Sequence, residues 1–447
     1  MEKQPRFLIQ FTGIMVVLLA ILVQGLFHPI KMKPLDGFTN PHRVVELNFK
    51  NYYDGSYQHY LTNYAKQNTG FREFFIRNYN QVMYSCFNKI TNNTIQKGSN
   101  NELYLTMYLN DIVGTRLHYT YPTVEDAKAD ARKNVEATVT LIDTLRSHGT
   151  AFLFVFCPTK TAVYPEYMPR AYRDHIAEFC LEEYYIELFK EYGINHIDFY
   201  HYFQDIKDEF PYPLFAKTGS HWSEATMPFV SDSLYRMIEA LTGKQLPSID
   251  YIDPNLSTTY SVIDGELEAN LNLLFPLNKP AIPNPIFTLK DTVGKDRPNL
   301  LVVGDSFFNQ LRRCCFVDAF HQWDYWIYNQ EIHSSRPFYQ GKQLNMVFDA
   351  ADIIEDADIV IGMFTSAYLT NYMFGFVPFA MDLMTKGMSS DEENIQQIIN
   401  NIKNDPAWYR AVEQQAIERG ITVEENLRLN ATYVYENVKR AQQQSQP

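Results

Sequence analysis

The sequence lacks an excess of positive charge. Its 39 Lys and Arg residues are outnumbered by 52 Asp and Glu residues, which gives a formal net charge of −13. A protein that follows nucleic-acid phosphates needs a basic face, so this balance argues against nucleic acid as a partner. Hydrophobic residues make up 46% of the 447 positions and charged residues 20%, which is the composition of a folded globular protein.

Cysteine is also scarce. Cys86, Cys157, Cys180, Cys314 and Cys315 have no spacing typical of a metal site, and an odd number of cysteines argues against a disulfide framework. We therefore expect no metal and no cofactor. Internal repeats and low-complexity segments are absent as well.

Charge is missing altogether from residues 7–27. This run of 21 residues would be about 31 Å long as a helix, enough to cross the hydrocarbon core of a bilayer. Lys3 and Arg6 precede it, Lys31 and Lys33 follow it, and no small-residue cleavage site closes it. The run predicts a retained signal-anchor, with the much larger body that follows it exported. We expect a single-pass protein of the cell inner membrane whose main domain faces the periplasm or the cell exterior.

Composition shifts divide the chain into five parts. The segment after the apolar run is polar, and the residues after Lys386 read as short amphipathic helices, which either pack on the parent domain or dock a partner. The predicted parts are a cytoplasmic tail (1–6), a transmembrane signal-anchor (7–27), a juxtamembrane spacer (28–56), the main domain (57–385) and a helical C-terminal tail (386–447).

The main domain alternates buried strands with helices. Continuous apolar runs bounded by turn residues are typical of parallel strands that are covered on both faces. Helices are predicted between them, as in α/β proteins with a mostly parallel sheet. The predicted strands cover 151–156, 194–199, 299–303, 325–328 and 358–362, and the predicted helices cover 123–147, 178–192 and 223–241. The stretch from Leu241 to about residue 297 is rich in Pro and Asn and is predicted to be irregular.

A serine follows one of these strands directly. Gly304 permits a tight turn, Ser306 would be presented at its apex, and a short helix would follow. Ligands of open α/β sheets bind beyond the carboxyl ends of the strands, which favours a nucleophile here. The backbone N–H groups of Ser306 and Phe307 would then face an oxyanion. The alternative is an ordinary turn in which Asp305 caps the helix.

A serine nucleophile needs a base, and one histidine has a distinctive setting. His221 follows a turn, immediately precedes a predicted helix, and is flanked by Trp222, which could form a wall of a pocket. A helix-capping role for His221 is the alternative. Together with Ser306, however, it forms a candidate pair of general base and nucleophile.

Three segments resemble one known family. They are residues 158–165, which contain Lys160 and Tyr164, residues 218–222 with the His221–Trp222 pair, and residues 304–307 around Ser306. From about Tyr57 to Phe376 the chain resembles the SGNH-hydrolase-like domain of alginate O-acetyltransferases of the AlgX/AlgJ type. The histidine precedes the serine by 85 positions, in the permuted order of this family rather than in that of ordinary SGNH esterases.

The resemblance implies a fold, an activity and partners. The fold is an SGNH-hydrolase-like α/β domain with a mostly parallel sheet flanked by helices. The activity is O-acetylation of an exported polysaccharide, with acetyl groups supplied by a membrane-bound O-acyltransferase. Ser306 would carry the acetyl group as an ester, and His221 would take its proton and later deprotonate the sugar hydroxyl.

One position departs from the family pattern. The acidic residue expected two positions before the histidine is Gly219 here. Another acceptor should therefore contact His221 Nδ1, either a backbone carbonyl or a distant acid such as Glu224, within about 3.2 Å. If that acceptor is only a carbonyl and Gly219 does not need a positive φ, Gly219→Asp should raise esterase activity.

Weaker candidates surround this pair. Asn329 ends the strand after the nucleophile helix and could donate to the oxyanion, or simply form a turn. Lys160 and Tyr164 could line the cleft or pack beneath it. Arg312 could meet an acidic sugar, although arginines on helices are usually solvated.

Three functions remain open. The favoured one is a membrane-anchored polysaccharide O-acetyltransferase. A carbohydrate acetyl esterase would use the same Ser306 and His221, because the choice between sugar and water depends on pocket solvation. A catalytically silent scaffold of an acyltransferase complex is supported by the missing acid at Gly219.

Overall fold

The computed structural model describes residues 3–37, 44–252, 256–347, 350–386 and 391–445. The strands within these residues are β1 (Ile95–Lys97), β2 (Leu103–Leu105), β3 (Ala151–Cys157), β4 (His196–Asp198), β5 (Ser248–Ile252), β6 (Leu256–Ser257), β7 (Ile282–Pro283), β8 (Ile286–Lys290), β9 (Leu300–Gly304), β10 (Trp323–Ile327), β11 (Glu331–Ser334), β12 (Lys342–Gln343) and β13 (Ile359–Thr365).

Within the described residues, helices alternate with these strands in the main domain, and both ends of the chain contain helices without strands. They are α1 (Lys3–Phe27), α2 (Phe49–Tyr53), α3 (Ser56–Gln67), α4 (Arg72–Phe87), α5 (Thr106–Ile112), α6 (Thr115–Thr120), α7 (Val124–Ser147), α8 (Lys160–Val163), α9 (Arg170–Arg173), α10 (Leu181–Glu191), α11 (Phe199–Ile206), α12 (Met227–Thr242), α13 (Glu266–Leu271), α14 (Phe308–Arg313), α15 (Ala350–Glu355), α16 (Phe376–Lys386), α17 (Asp391–Asn404), α18 (Pro406–Arg419) and α19 (Val423–Ser445).

One seven-stranded sheet organises the main domain. Its strand order is β12-β11-β10-β9-β13-β3-β4. The five strands from β10 to β4 are parallel, and β11 and β12 add an antiparallel edge. The carboxyl ends of β9, β13 and β3 therefore meet at one edge of the sheet. The prediction of a mostly parallel α/β sheet is confirmed.

Both faces of the sheet are covered, which explains the continuous apolar runs. On β3, Leu153 and Val155 pack into the core on one face, while Phe154 and Phe156 pack into the core on the other. All four are fully buried. Because successive side chains of a strand point to opposite faces, a strand covered on both sides must be apolar at every position.

The stretch from Leu241 to about residue 297 holds more regular structure than the sequence indicated. It was expected to be irregular, yet β5 pairs with β8 and β6 with β7, and the helix α13 begins at Glu266. These elements are two to six residues long, too short to produce a periodic hydrophobic pattern.

The two ends of the chain that the structure describes are helical. In α1, residues Phe7–Phe27 are apolar and long enough to cross a membrane, which is weakly consistent with a single-pass anchor. At the other end, α17, α18 and α19 enclose a small apolar core of their own. A hydrogen bond from Asn401 Nδ2 to the Asn345 carbonyl oxygen, 3.0 Å long, links this tail to the main domain.

Candidate active site

Ser306 lies at the carboxyl edge of the sheet, in the turn that joins β9 to α14. Gly304 ends the strand where β13 approaches closely: a Cβ atom at this position would be 2.7 Å from the Met363 carbonyl oxygen. The next residue, Asp305, is fully buried, and its carboxylate accepts hydrogen bonds from the Phe307 N–H and from the N–H and hydroxyl of Thr365. These bonds fix the turn that presents Ser306.

His221 meets Ser306 across this edge. Its Nε2 atom is 2.8 Å from Ser306 Oγ, which agrees with the predicted separation of about 3 Å. The imidazole packs against the Phe307 ring with 4.9 Å between the ring centroids. The structure therefore brings together the two residues that the sequence proposed as nucleophile and base, 85 positions apart.

The acceptor on the other side of the imidazole is Glu266, the first residue of α13. Its Oε1 atom is 2.7 Å from His221 Nδ1, within the predicted limit of 3.2 Å. The same oxygen accepts hydrogen bonds from the N–H and hydroxyl of Ser220. With the Nδ1 proton directed at Glu266, Nε2 is free to accept the Ser306 hydroxyl proton.

The ionisation of Glu266 suits this role. Burial alone would raise the pKa of its carboxyl group, but the nearby His221 and the hydrogen bonds from His221 and Ser220 outweigh burial and lower that pKa below its ordinary value. A carboxylate held in its charged form can stabilise the imidazolium that forms when Ser306 loses its proton.

The sequence-based candidate for this acid, Glu224, was wrong. Glu224 does not contact His221; its side chain bonds Ser261 and its N–H lies 3.4 Å from Asp264 Oδ1. At position 219 a side chain would be crowded, because an added Cβ atom would be 3.2 Å from the carbonyl oxygens of Ile263 and Asp264. Because the acceptor is the Glu266 carboxylate and not a backbone carbonyl, we no longer expect Gly219→Asp to raise esterase activity.

Sequence reasoning missed Glu266 because it lies 45 residues after His221, in the stretch that was expected to be irregular. The helix that carries it has six residues, of which Leu267 and Leu271 are buried. Those two leucines, four positions apart, were the available signal. A single pair at helical spacing is too weak to identify a helix without tertiary contacts.

Lys160 lies beneath the site rather than in the cleft. Its side chain is 1% exposed, and its Nζ atom donates to the carbonyl oxygens of Leu103, Ala216, Lys217 and Gly219 at 2.7–3.3 Å. An ion pair of 2.9 Å joins Nζ to a Glu102 carboxylate oxygen. Burial lowers the pKa of Lys160, and the contact with Glu102 opposes that shift. Lys160 thus fixes the loop that leads to His221.

We expect Lys160→Met to lower the free energy of unfolding by about 3–5 kcal/mol, because it leaves the buried Glu102 carboxylate without its cation. Denaturant unfolding of the variant measures this loss. Lys217→Met is the matched control, since within the described residues the Lys217 ammonium has one hydrogen-bond partner, the exposed Asn100 carbonyl oxygen. An equal loss of unfolding free energy in both variants would contradict the conclusion that Lys160 fixes the loop that leads to His221.

Tyr164 and Trp222 also support the site from below. The Tyr164 hydroxyl accepts the Leu214 N–H, and its ring packs against Phe215. Trp222 is fully buried, and its Nε1 donates to the Phe307 carbonyl oxygen. The expectation that Trp222 forms a wall of the pocket was wrong, because its indole belongs to the aromatic core under the nucleophile turn.

The predicted oxyanion donors are only partly in place. The Phe307 N–H is bonded to Asp305 Oδ1 at 3.0 Å, so it is not free to meet an oxyanion. The Ser306 N–H has no acceptor within the described residues and stays available. Asn329 donates from Nδ2 to the Phe374 carbonyl oxygen, and no hydrogen bond connects it to the Ser306–His221 pair in the described structure.

Arg312 points to a different part of the domain. Its guanidinium lies over the rings of Trp323 and Tyr325, with 5.9 and 5.7 Å to their centroids. Burial lowers its pKa. Because the side chain is stacked against the strand that follows the nucleophile helix, no contact in the described structure supports the predicted role in binding an acidic sugar.

Asp264 is a buried carboxyl group next to the catalytic candidates. Burial first, and then the nearby Glu224, raise its pKa from 3.8 to about 7. Because the folded protein then holds this proton more tightly than the unfolded chain, the stability associated with it falls as pH rises from about 4 to 7.

We therefore expect the free energy of unfolding of Asp264→Asn, relative to that of the parent, to be about 2–3 kcal/mol higher at pH 8 than at pH 5. This figure corresponds to about 1.4 kcal/mol for each unit of the pKa shift. Thermal unfolding at the two pH values measures the difference. Asp208→Asn, at an exposed position, should show no such change. A stability difference between Asp264→Asn and the parent that is the same at both pH values would argue against a raised pKa.

Among the described residues, no group of three or more His, Cys, Asp or Glu side chains is arranged to hold a metal ion. The polar groups at the carboxyl edge are instead paired with one another, in the series Ser306, His221, Glu266 and Ser220. That is the arrangement of a serine nucleophile, a base and an orienting acid, which is suited to acyl transfer.

A family model places this arrangement among known proteins. Residues 117–285 match the family described as SGNH hydrolase-like domain, acetyltransferase AlgX. Over these residues the chain is similar to an AlgX-type SGNH-like domain. The matched residues contain His221 and Glu266 and end before Ser306, so the nucleophile comes from the part of the sheet that lies beyond the match. The match confirms the predicted resemblance over residues 117–285.

Three solved structures give weaker likenesses. The O-acetyltransferase domain of Pseudomonas putida AlgJ aligns at 14% identity over 64% of this chain and 99% of that one, with a TM-score of 0.40. Pseudomonas aeruginosa AlgX aligns at 16% identity over 63% of this chain and 65% of its own length, with a TM-score of 0.38. Bacillus cereus PatB1 aligns at 11% identity over 55% and 92%, with a TM-score of 0.32. No curated protein matches the chain significantly.

Proposed function

We propose that this protein is a membrane-anchored O-acetyltransferase that acetylates an exported polysaccharide through an acetyl ester on Ser306. The observation that carries the proposal is the continuous series of contacts from Ser306 Oγ to His221 and on to Glu266, at 2.8 and 2.7 Å. The resemblance to AlgX/AlgJ-type proteins supports the choice of a polysaccharide as acceptor.

In the first half-reaction, Ser306 Oγ attacks the acetyl carbonyl carbon of the donor while His221 Nε2 takes the hydroxyl proton. Glu266 stabilises the resulting imidazolium, and the Ser306 N–H faces the developing oxyanion. The imidazolium then returns the proton to the leaving group. In the second half-reaction, His221 takes the proton of a sugar hydroxyl, whose oxygen attacks the acetyl-serine carbonyl. The bond from the acetyl carbon to Ser306 Oγ then breaks, and the imidazolium returns its proton to that oxygen.

The transferase proposal is tested with the full-length chain in detergent, p-nitrophenyl acetate as donor, and oligosaccharides of neutral, uronic acid and amino sugars as acceptors. We expect at least one class to gain an acetyl group, detected by mass spectrometry, and none to do so with Ser306→Ala. Release of acetate alone with every acceptor would favour the esterase. No turnover of the donor by the folded protein would favour a silent scaffold, although the carboxylate of Glu266 removes the main argument for that function.

The donor is a second part of the proposal. We propose that a membrane-bound O-acyltransferase supplies the acetyl groups. In this proposal α1 anchors the present chain in the cell inner membrane, where the acyltransferase also lies, and the catalytic domain is on the periplasmic or outer side. Reconstitution of both proteins in one vesicle should allow acetyl transfer to the oligosaccharide from a donor on the opposite side. Equal transfer without the acyltransferase would contradict this part and leave the role of Ser306 intact.

A further inference from the structure

The three helices that follow the apolar run share an unusual feature. None of the residues of α2, α3 or α4 is buried. Their large exposed side chains are mostly aromatic. Helices of 5 to 16 residues are marginal in water unless an apolar face packs against something, so these helices need a covering surface. Their exposed large hydrophobic residues are Phe49, Tyr52, Tyr53, Leu61, Tyr64, Phe74, Phe75, Tyr79, Val82 and Phe87.

On α4 the covered and uncovered faces can be distinguished. Asn80 donates to the Leu271 carbonyl oxygen, and Tyr84 packs against the small core under α13, so this face rests on the main domain. Phe75, Tyr79 and Cys86 are exposed and lie four and seven positions apart, on the opposite face. The aromatic face therefore points away from the catalytic domain.

The turn between α3 and α4 packs against the end of α1. A Cβ atom on Gly70 would lie 2.0 Å from the Ile21 carbonyl oxygen and 2.7 Å from the Gly25 nitrogen, so the two backbones are in close contact. Ile21 and Gly25 are six and two residues before the end of α1 at Phe27, which is about 9 and 3 Å along the helix axis. If α1 spans a bilayer, this turn lies at the depth of the interface between headgroups and acyl chains.

The charge of this region also differs from that of the rest of the chain. Residues 28–97 contain nine Lys and Arg against four Asp and Glu, a net charge of +5, in a protein whose net charge is −13. Two copies of so basic a segment would repel each other, whereas an anionic surface would attract it.

We propose that α2, α3 and α4 lie on the outer surface of the membrane and bind an anionic lipid bilayer through their aromatic face. This inference rests on α1 being the proposed membrane anchor. Aromatic side chains are favoured at the boundary between headgroups and acyl chains, and helices of this kind sink about 5–10 Å into it. Bound in this way, the helices would hold the catalytic domain close to the membrane in a fixed orientation.

The test measures the depth of two nitroxide labels in the full-length chain, reconstituted in vesicles of phosphatidylcholine and phosphatidylglycerol. One label is attached to the native Cys86, and the second to Phe75→Cys in a chain that also carries Cys86→Ser. The control label is on Tyr119→Cys in the same Cys86→Ser chain, since Tyr119 is 94% exposed and belongs to α6. The Cys86→Ser chain alone gives the background from the other cysteines.

We expect the labels at 75 and 86 to collide with oxygen at least about threefold more often, relative to a water-soluble nickel complex, than the label at 119, because oxygen is concentrated in acyl chains. Equal ratios at the three positions would overturn the proposal. Protection of 75 and 86 from both reagents would also overturn it, in favour of a protein partner, and spin–spin broadening would identify that partner as a second copy. Acetyl turnover by the same labelled chains reports separately on the proposed function.

Discussion

Ser306→Ala should abolish the hydrolysis of p-nitrophenyl acetate, with a loss of at least about 10³-fold in kcat. The hydroxyl is the only group in the described structure within hydrogen-bond distance of His221 Nε2, so its removal leaves the base without a nucleophile to activate. Its contribution to stability is small, because a single hydrogen bond of this kind is worth about 1 kcal/mol. We expect the unfolding midpoint to stay within about 3 °C of the parent.

Ser366→Ala is the matched control for this loss. Ser366 follows β13, the strand next to β9 at the same edge of the sheet, but its hydroxyl donates to Asp111 Oδ2 at 2.6 Å rather than to a histidine. The control should keep nearly all of the activity. Comparable hydrolysis by Ser306→Ala and Ser366→Ala would mean that the observed reaction does not pass through Ser306.

Glu266→Gln should lower kcat by about 10²–10⁴-fold with little change in KM, because the effect is on the charge of the transition state and not on binding of the ground state. The glutamine amide oxygen can still accept the hydrogen bonds from Ser220 and His221, so the fold is kept. What is lost is the negative charge that stabilises the imidazolium.

Glu224→Gln distinguishes this effect from a general change in local charge. Glu224 lies in the same acidic neighbourhood, since it raises the pKa of Asp264, but it has no contact with His221. We expect its substitution to change kcat by less than about threefold, the range of an indirect electrostatic effect. A larger loss in Glu224→Gln than in Glu266→Gln would contradict the assignment of Glu266 as the orienting acid.

The parts of this site that could be predicted from the sequence are those attached to strong local patterns. Ser306 follows an apolar run typical of a buried strand and was placed correctly after β9. His221 was expected directly before a helix that begins at Ser223, whereas α12 begins at Met227. The sheet itself was predictable for the same reason: β3, β9 and β13 are apolar on both faces.

The parts that could not be predicted depend on contacts between distant segments. Glu266 reaches His221 only because the short helix α13 packs beside the loop 216–220, where the Thr218 hydroxyl bonds the Asp264 carbonyl oxygen and the Leu267 N–H bonds the Thr218 carbonyl oxygen. The Phe307 N–H was expected to be free because the sequence does not show that Asp305 turns its carboxylate back onto it.

The most direct test of the account is the site and rate of covalent labelling by a sulfonyl fluoride, followed by intact mass spectrometry and peptide mapping of the full-length protein. An activated serine displaces fluoride and forms a stable sulfonyl ester on its Oγ. We expect one label per chain, located on Ser306, formed at least about 10²-fold more slowly in Glu266→Gln and not detectably in His221→Ala. Labelling of other residues only, or labelling of Ser306 at the same rate in all three proteins, would contradict the claim that His221 and Glu266 activate Ser306.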